Sequence, residues 1–114
     1  MTDEKDIILS TTGEIPARRI AEITGIVFGE AVVGTGALKG MSRAVKDVMG
    51  ARSPLHEDQV RAAREEAVTR MCSEARKQKA DGVVGVSVSY QSLGGGELLL
   101  VAVEGTAVML EDVT

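Results

Sequence analysis

The sequence is poor in the residue types that supply most catalytic and metal-binding chemistry. Its 114 residues contain one Cys, one His, one Phe, one Tyr, two Pro and no Trp. The lone Cys72 excludes an internal disulfide and fits a reducing compartment, so we expect a cytoplasmic protein. With so few aromatic residues, Val, Ile, Leu and Ala must fill the core. The chain length predicts a single domain over residues 1–114, with loose tails at 1–5 and 111–114.

Charge and hydropathy exclude two classes of partner. The net charge of −4 argues against nucleic acid and anionic membranes, since both need clustered positive charge. No stretch approaches the roughly 20 apolar residues of a membrane span. Residues 1–6 carry three acids and no apolar run, so we do not expect a signal peptide there.

The hydrophobic pattern predicts an α+β fold with the order β-β-α-α-β-β. A short strand at residues 6–10 precedes a long strand at 19–33, where apolar residues or glycines occupy every second position from Ala21 to Val33. The same period returns after Gly82, with Val84, Val86, Val88 and Tyr90 on one face. A turn at Gly94-Gly95-Gly96 leads into a strand at 98–110 that is apolar on both faces except at Glu104.

Two helices separate these pairs of strands. The first is predicted at residues 37–49 and the second at 53–80, where Ser53 and Pro54 suit the first turn and Asp81-Gly82 suits the end. A short connection makes them a helical hairpin on one face of the sheet. The second helix carries a narrow apolar stripe: Val60, Ala63, Ala67, Met71 and Ala75. It would span ~40 Å, which is long for a compact domain of this size, whose radius of gyration is about 13 Å. We therefore expect this helix to extend beyond its own domain or to pack against neighbouring copies.

The predicted sheet has more apolar surface than one copy can cover. The helices cover one face, and little sequence remains to cover the other. We therefore expect copies of the chain to associate, with their strands combining into a barrel. The alternative is a monomer whose terminal segments fold over that face.

The chain offers few groups for chemistry. It has no Gly-x-Ser-x-Gly motif for a nucleophile and only one His. His56 and Cys72 are the soft metal-ligand candidates, but they lie ~24 Å apart along one helix and cannot share a metal within a copy. We therefore predict no catalytic residues, no metal ligands and no cofactor, with a ring of one ligand per copy left open.

Three charged residues are less easily assigned to a solvated surface. Glu30 and Glu104 each interrupt an apolar strand, which places them either at a solvated edge or in a functional lining. Arg52, between the two predicted helices, either binds an anion or caps the carbonyls of the first helix.

Several short stretches, taken together and in order, resemble the YbjQ-like family, which is often labelled as heavy-metal-binding. They cover nearly the whole chain from Ile8 to Leu110: Gly29-Glu30-Ala31-Val32-Val33-Gly34-Thr35, Gly50-Ala51-Arg52-Ser53, Ala80-Asp81-Gly82-Val83-Val84-Gly85-Val86 with Tyr90, and Gly105-Thr106-Ala107-Val108. The family commonly has two glycines before the Arg-Ser pair, and here Ala51 replaces the second.

The resemblance implies a small α+β subunit that forms a homopentamer around a central barrel. The family has no established reaction, and no ligand cluster lies at the matched motifs. Our leading hypothesis is a non-enzymatic oligomeric binding protein with its ligand in a cleft between copies. Glu30, Arg52 and Asp81 are the polar residues within the motifs and the candidate ligand contacts. The alternatives are metal binding by single ligands repeated around the axis, and an enzyme site between subunits.

Overall fold

The computed structural model describes residues 5–34, 57–94 and 98–113. They form one four-stranded mixed sheet with one helix packed on it, which confirms the α+β class. The predicted helix at residues 37–49, and therefore the helical hairpin, lies outside the described residues. In chain order the elements are β1 (Ile8–Leu9), β2 (Arg18–Gly34), α1 (Glu57–Lys77), β3 (Gly82–Leu93) and β4 (Leu98–Asp112).

The sheet is built around a long antiparallel ribbon of β2 and β4. Its strand order is β1-β3-β4-β2, with β1 parallel to β3 and the other pairs antiparallel. The 17 residues of β2 extend ~56 Å, whereas the 21 residues of α1 extend ~31 Å. The described helix is therefore too short to cover the ribbon along its whole length.

The helix packs through the predicted small-residue stripe. Ala67, Met71 and Ala75 are fully buried, and they pack with Val27 and Val103 in one apolar cluster. Small side chains bring α1 close to the sheet, and the approach is closest at Gly29. A Cβ there would overlap the carbonyl oxygen of Ala67 and lie 2.7 Å from the backbone nitrogen of Met71.

The single continuous face predicted for β2 is wrong before Gly25. The pairing with β4 shifts register between Ile20 and Glu22 and again between Ile23 and Gly25. Each irregularity adds a residue to one strand and so reverses the side on which later side chains lie. From Val27 onward the predicted alternation is confirmed, but Ile23 pairs with Val108 on the opposite side and is 65% exposed.

A similar bulge changes the face assignment in β3. The register shifts between Val84 and Ser87, at Gly85, which has φ +62°. Val83 therefore packs in the core under α1, while Val84 pairs with Thr106 on the other face. The prediction that Val84 shares a face with Val86 is wrong for this reason.

The helix ends before the predicted Asp81-Gly82 stop. Lys79 adopts a left-handed conformation at φ +61°. Its N–H donates to Arg76 O at 2.9 Å, and the N–H of Ala80 donates to Ala75 O at 3.0 Å. This is a Schellman ending with Lys in the position that usually holds Gly. Gly82 instead begins β3.

The last strand is longer than predicted. β4 continues through Glu111 and Asp112, which the sequence places in a loose tail. Both residues pair with the start of β2, where Arg18 Nε lies 2.8 Å from Asp112 Oδ1 and Arg19 pairs with Glu111.

Candidate functional site

An open groove lies between α1 and the outer edge of β2. Because β2 is the last strand of the sheet, its outer backbone groups have no neighbouring strand among the described residues. The groove has a volume of about 480 Å³. Its lining is Ile26, Val27, Phe28, Gly29, Glu30, Arg70, Ser73, Glu74 and Gln78.

Arg70 ties the helix to this edge. Its Nη1 donates to the backbone carbonyl of Glu30 at 2.7 Å, and its Nη2 lies 3.3 Å from Glu66 Oε2. A second side-chain bond connects β2 to the residues that follow α1, since Thr24 Oγ1 donates to Gln78 Oε1 at 2.9 Å. Sequence patterns gave no sign of this contact, because a bond from a side chain to a distant backbone carbonyl leaves no sequence signal.

The sheet face turned away from α1, here called the open face, carries large exposed apolar side chains along β2. On β2, Ile26 is 66% exposed and Phe28 and Val32 are each 56% exposed. They lie opposite Thr106, Glu104 and Leu100 of β4. Isolated exposed apolar residues are common on proteins, but three large ones on one face of one strand, interrupted only by Glu30, suit an interaction surface.

Two carboxylates lie within the open face. Glu30 is opposite Ala102, and Glu104 is opposite Phe28, so the two glutamates are diagonal neighbours roughly 7–8 Å apart. Glu104 belongs to the inner strand β4 and is therefore not at a sheet edge. Within the described part of the chain, neither carboxylate has a hydrogen-bond or ion-pair partner.

Asp81 lies at the other end of the sheet. Its carboxylate accepts a bond from Lys5 Nζ at 2.5 Å and one from the Leu110 N–H at 2.8 Å. The Asp81 carboxylate lies beside the Leu110 amide, whereas Glu30 pairs with Ala102. Eight strand residues, ~27 Å, therefore separate these two candidate residues within one copy. The third, Arg52, lies outside the described residues.

The contacts of Asp81 predict an acid-dependent contribution to stability. The hydrogen bond from Lys5, followed by that from the Leu110 amide, lowers the pKa of Asp81 below its ordinary value of 3.8. The stabilisation is therefore present above that value and is lost as the pH falls through the folded-state pKa. We expect Asp81→Asn to reduce the free energy of unfolding by about 1–2 kcal/mol near neutral pH, and by less below about pH 4.

Urea unfolding of both proteins near neutral pH and near pH 3 measures this difference. A difference that stays constant across that range would show that the charge of Asp81 contributes nothing.

Comparison with known proteins places the chain in a family. The sequence profile YbjQ_1, described as "Putative heavy-metal-binding", matches residues 7–111. The chain belongs to this family. It is 36% identical over 104 residues to a UPF0145 protein of Haemophilus ducreyi, covering 91% of this chain and 99% of that protein. It is 39% identical over 105 residues to a UPF0145 protein of Actinobacillus pleuropneumoniae serotype 5b, with the same coverage.

The fold also matches a solved structure of the DUF74 family from Pediococcus pentosaceus, described as a protein of unknown function. The TM-score is 0.62 with 15% sequence identity, over 92% of this chain and 98% of that chain. At this identity the match supports the fold alone. None of these descriptions names a reaction.

The heavy-metal label of the YbjQ-like family has no matching set of ligands in the part of the chain that the structure describes. Among the described residues, no group of three or more His, Cys, Asp or Glu side chains could hold a metal ion. Cys72 is a poor soft-metal ligand because it is buried, with only 8% of its surface exposed. Burial raises the pKa of its thiol above the ordinary value of 9.0, which disfavours the thiolate that metals bind. His56 lies outside the described residues.

The environment of Cys72 predicts low reactivity. In the folded protein we expect a thiol-specific reagent to label Cys72 roughly tenfold or more slowly than in urea, because burial disfavours both access and the thiolate. Absorbance or mass spectrometry follows the labelling. Equal rates in the two states would show that Cys72 is accessible in the folded protein.

Within the described residues, no helix is both long enough and apolar enough to cross a membrane.

Proposed function

We propose that this member of the YbjQ-like family is a non-enzymatic, cytoplasmic, homopentameric binding protein whose ligand sites form between copies. The observation that carries this proposal is the open face, where Ile26, Phe28 and Val32 stay more than half exposed in a single copy. Covering such a face stabilises an assembly by about 25 cal/mol per Å² of apolar area.

The two long edges of the sheet favour the same assembly. Native proteins usually protect exposed edge strands with charged residues or proline. Residues 23–29 of β2 and residues 87–93 of β3 contain neither. β1 pairs with β3 only at Gly82 and Val83. Among the described residues, each copy therefore presents a stretch free of charge and proline on each of the strands β2 and β3.

These edges suit head-to-tail pairing in a ring. β2 and β3 both run antiparallel to β4, so they run in the same direction as each other. A rotation axis along the strands preserves strand direction, and β2 of one copy would therefore pair parallel with β3 of the next. A heterologous interface of this kind closes into a ring when the rotation permits it.

This arrangement gives the candidate residues defined positions. The open face turns inward, α1 lies outside, and Glu30 and Glu104 repeat around the interior. The neighbouring copy closes the groove beside Arg70, and clefts of this kind commonly hold ligands. Glu30, Arg52 and Asp81 remain the proposed ligand contacts. Because Glu30 and Asp81 lie ~27 Å apart in one copy, a shared site requires two copies.

Two measurements test the proposal. Light scattering on the purified protein should give the mass of five 12.0 kDa chains, and a mass of one chain would overturn the assembly. Native mass spectrometry of protein purified from its host should show a retained small molecule on the assembled species. An assembly that retains no small molecule would contradict the binding role and would support a purely structural role for the ring.

A second candidate, metal binding around the axis, is favoured by the placement of Glu30 and Glu104. In a ring, these unpaired carboxylates would repeat in a low-dielectric surrounding, where they attract divalent cations. Carboxylates favour harder ions than thiolates do. Titration calorimetry with manganese, nickel, copper and zinc tests this function. Heat that disappears in Glu30→Gln supports it, and the absence of heat with all four metals contradicts it.

A further inference from the structure

The outer edge of β3 is divided into two parts. An N-terminal strap, residues 5–12, occupies the first part through four backbone hydrogen bonds. Ile8 N–H donates to Asp81 O at 3.1 Å and Ser10 N–H to Val83 O at 3.0 Å, while Gly85 N–H donates to Thr12 O at 2.8 Å and Val86 N–H to Ser10 O at 3.0 Å. From residue 87 to residue 93, no described segment forms a backbone hydrogen bond with this outer edge, and the one side-chain bond there runs from Arg64 Nη1 to the Tyr90 hydroxyl at 3.2 Å.

The strap ends at a turn that side-chain hydrogen bonds stabilise. Thr12 Oγ1 donates to Glu14 O at 2.9 Å, and Ser10 Oγ donates to Thr12 Oγ1 at 2.8 Å. These bonds direct the chain away from β3. The bulge at Gly85 lies at the same level, and bulges re-aim a strand and interrupt pairing.

The other end of the strap is anchored to two elements. Lys5 Nζ pairs with Asp81, and Arg76 Nε of α1 donates to Lys5 O at 2.7 Å. The contact with β3 is also close, because a Cβ on Gly82 would lie 2.8 Å from Ile8 O. The strap is therefore fixed at both ends and along its length.

We propose that the strap sets the register in which a second copy of this chain pairs with β3. This inference rests on the proposed assembly. Without the strap, the charge-free edge would extend over the whole of β3 from Gly82 to Leu93, and a partner strand could slip by two residues without changing the face it presents. With the strap in place, only the seven residues 87–93 of this edge remain available for pairing with another strand. That length matches the charge-free run of residues 23–29 on β2.

Two variants of the full chain test the inference. Gly82→Ala places a Cβ against Ile8 O and should displace the strap, whereas Gly13→Ala is the matched control because nothing lies within 4 Å of its added Cβ. Ser10→Pro removes the N–H that bonds to Val83 O and leaves the sequence of β3 unchanged. It therefore replaces Gly82→Ala in the test if that variant does not fold. Amide exchange at Gly85 and Val86 reports release of the strap.

The wild type and Gly13→Ala should each give one assembly of a single mass by light scattering. Variants with a released strap should give several masses, since pairing occurs in more than one register. A released strap with the single wild-type mass would overturn the inference and leave the proposed function intact. A wild-type protein with the mass of one chain would instead overturn the proposed function.

Discussion

Gly29→Ala is expected to destabilise the fold more than other single methyl additions in the described sheet. The added Cβ would overlap the carbonyl oxygen of Ala67 and approach the amide of Met71. Both are backbone atoms, so no side-chain rotation relieves the clash, and α1 must move away from the sheet. We expect a loss of about 3 kcal/mol or more in the free energy of unfolding, at the upper end of overpacking effects. Urea unfolding at a fixed protein concentration measures it.

Gly13→Ala is the matched control for this change. It makes the same substitution at a position where nothing lies within 4 Å of the new Cβ, so we expect an effect below about 0.5 kcal/mol. Because assembly itself adds to apparent stability, both variants are compared with the wild type at equal chain concentration. Equal stability of the two variants would show that the close approach of helix and sheet at Gly29 is not a constraint.

Ile26→Lys combined with Phe28→Lys is expected to dissociate the assembly. Both side chains are more than half exposed in one copy, so charged replacements remain hydrated there and cost the single subunit little. In the assembly the same lysines would be buried against apolar side chains. We expect a penalty of about 3 kcal/mol or more at each interface, or roughly a hundredfold or more in affinity.

Val113→Lys is the control for the lysine pair. Val113 is 61% exposed, as the two target residues are, but it lies beyond the end of β4. Light scattering and circular dichroism should show a folded single subunit for the double variant and the wild-type mass for Val113→Lys. A double variant that keeps the wild-type mass would show that the open face is not the interface.

Hydrophobic periodicity predicted the elements of the described fold well. It placed the long strands within one or two residues of their observed bounds, and it identified the stripe of Ala63, Ala67 and Met71 that packs on the sheet. These features follow from local sequence, because a period of two or of three to four residues directly specifies which face is buried.

The bulges and the helix end could not be predicted in the same way. An extra residue in β2 is fixed by its pairing with a strand more than 80 residues later in sequence, between Ile23 and Val108. The helix ends at Lys77 and is followed by Lys79 in a left-handed conformation, whereas the sequence favoured a stop at Asp81-Gly82. Both features depend on tertiary contacts that override local preference.

The candidate site was the least predictable part. Glu30 and Asp81 were candidates because they lie within family motifs, and the structure places them far apart along the sheet. Arg70, whose guanidinium binds the backbone of Glu30, belongs to no such motif. The sequence does not distinguish one charged residue on a helix surface from another. Which of them reaches a sheet edge depends on how the helix packs on the sheet.

Hydrogen exchange, read residue by residue along β3, tests the central claim most directly. In one copy, alternate amides of residues 87–93 bond to β4 and the others point outward from the edge. If a neighbouring copy pairs with that edge, every amide from 87 to 93 should be protected, and the outward amides should lose protection in the dissociated lysine variant. Fast exchange at the outward amides of the wild type would contradict the account.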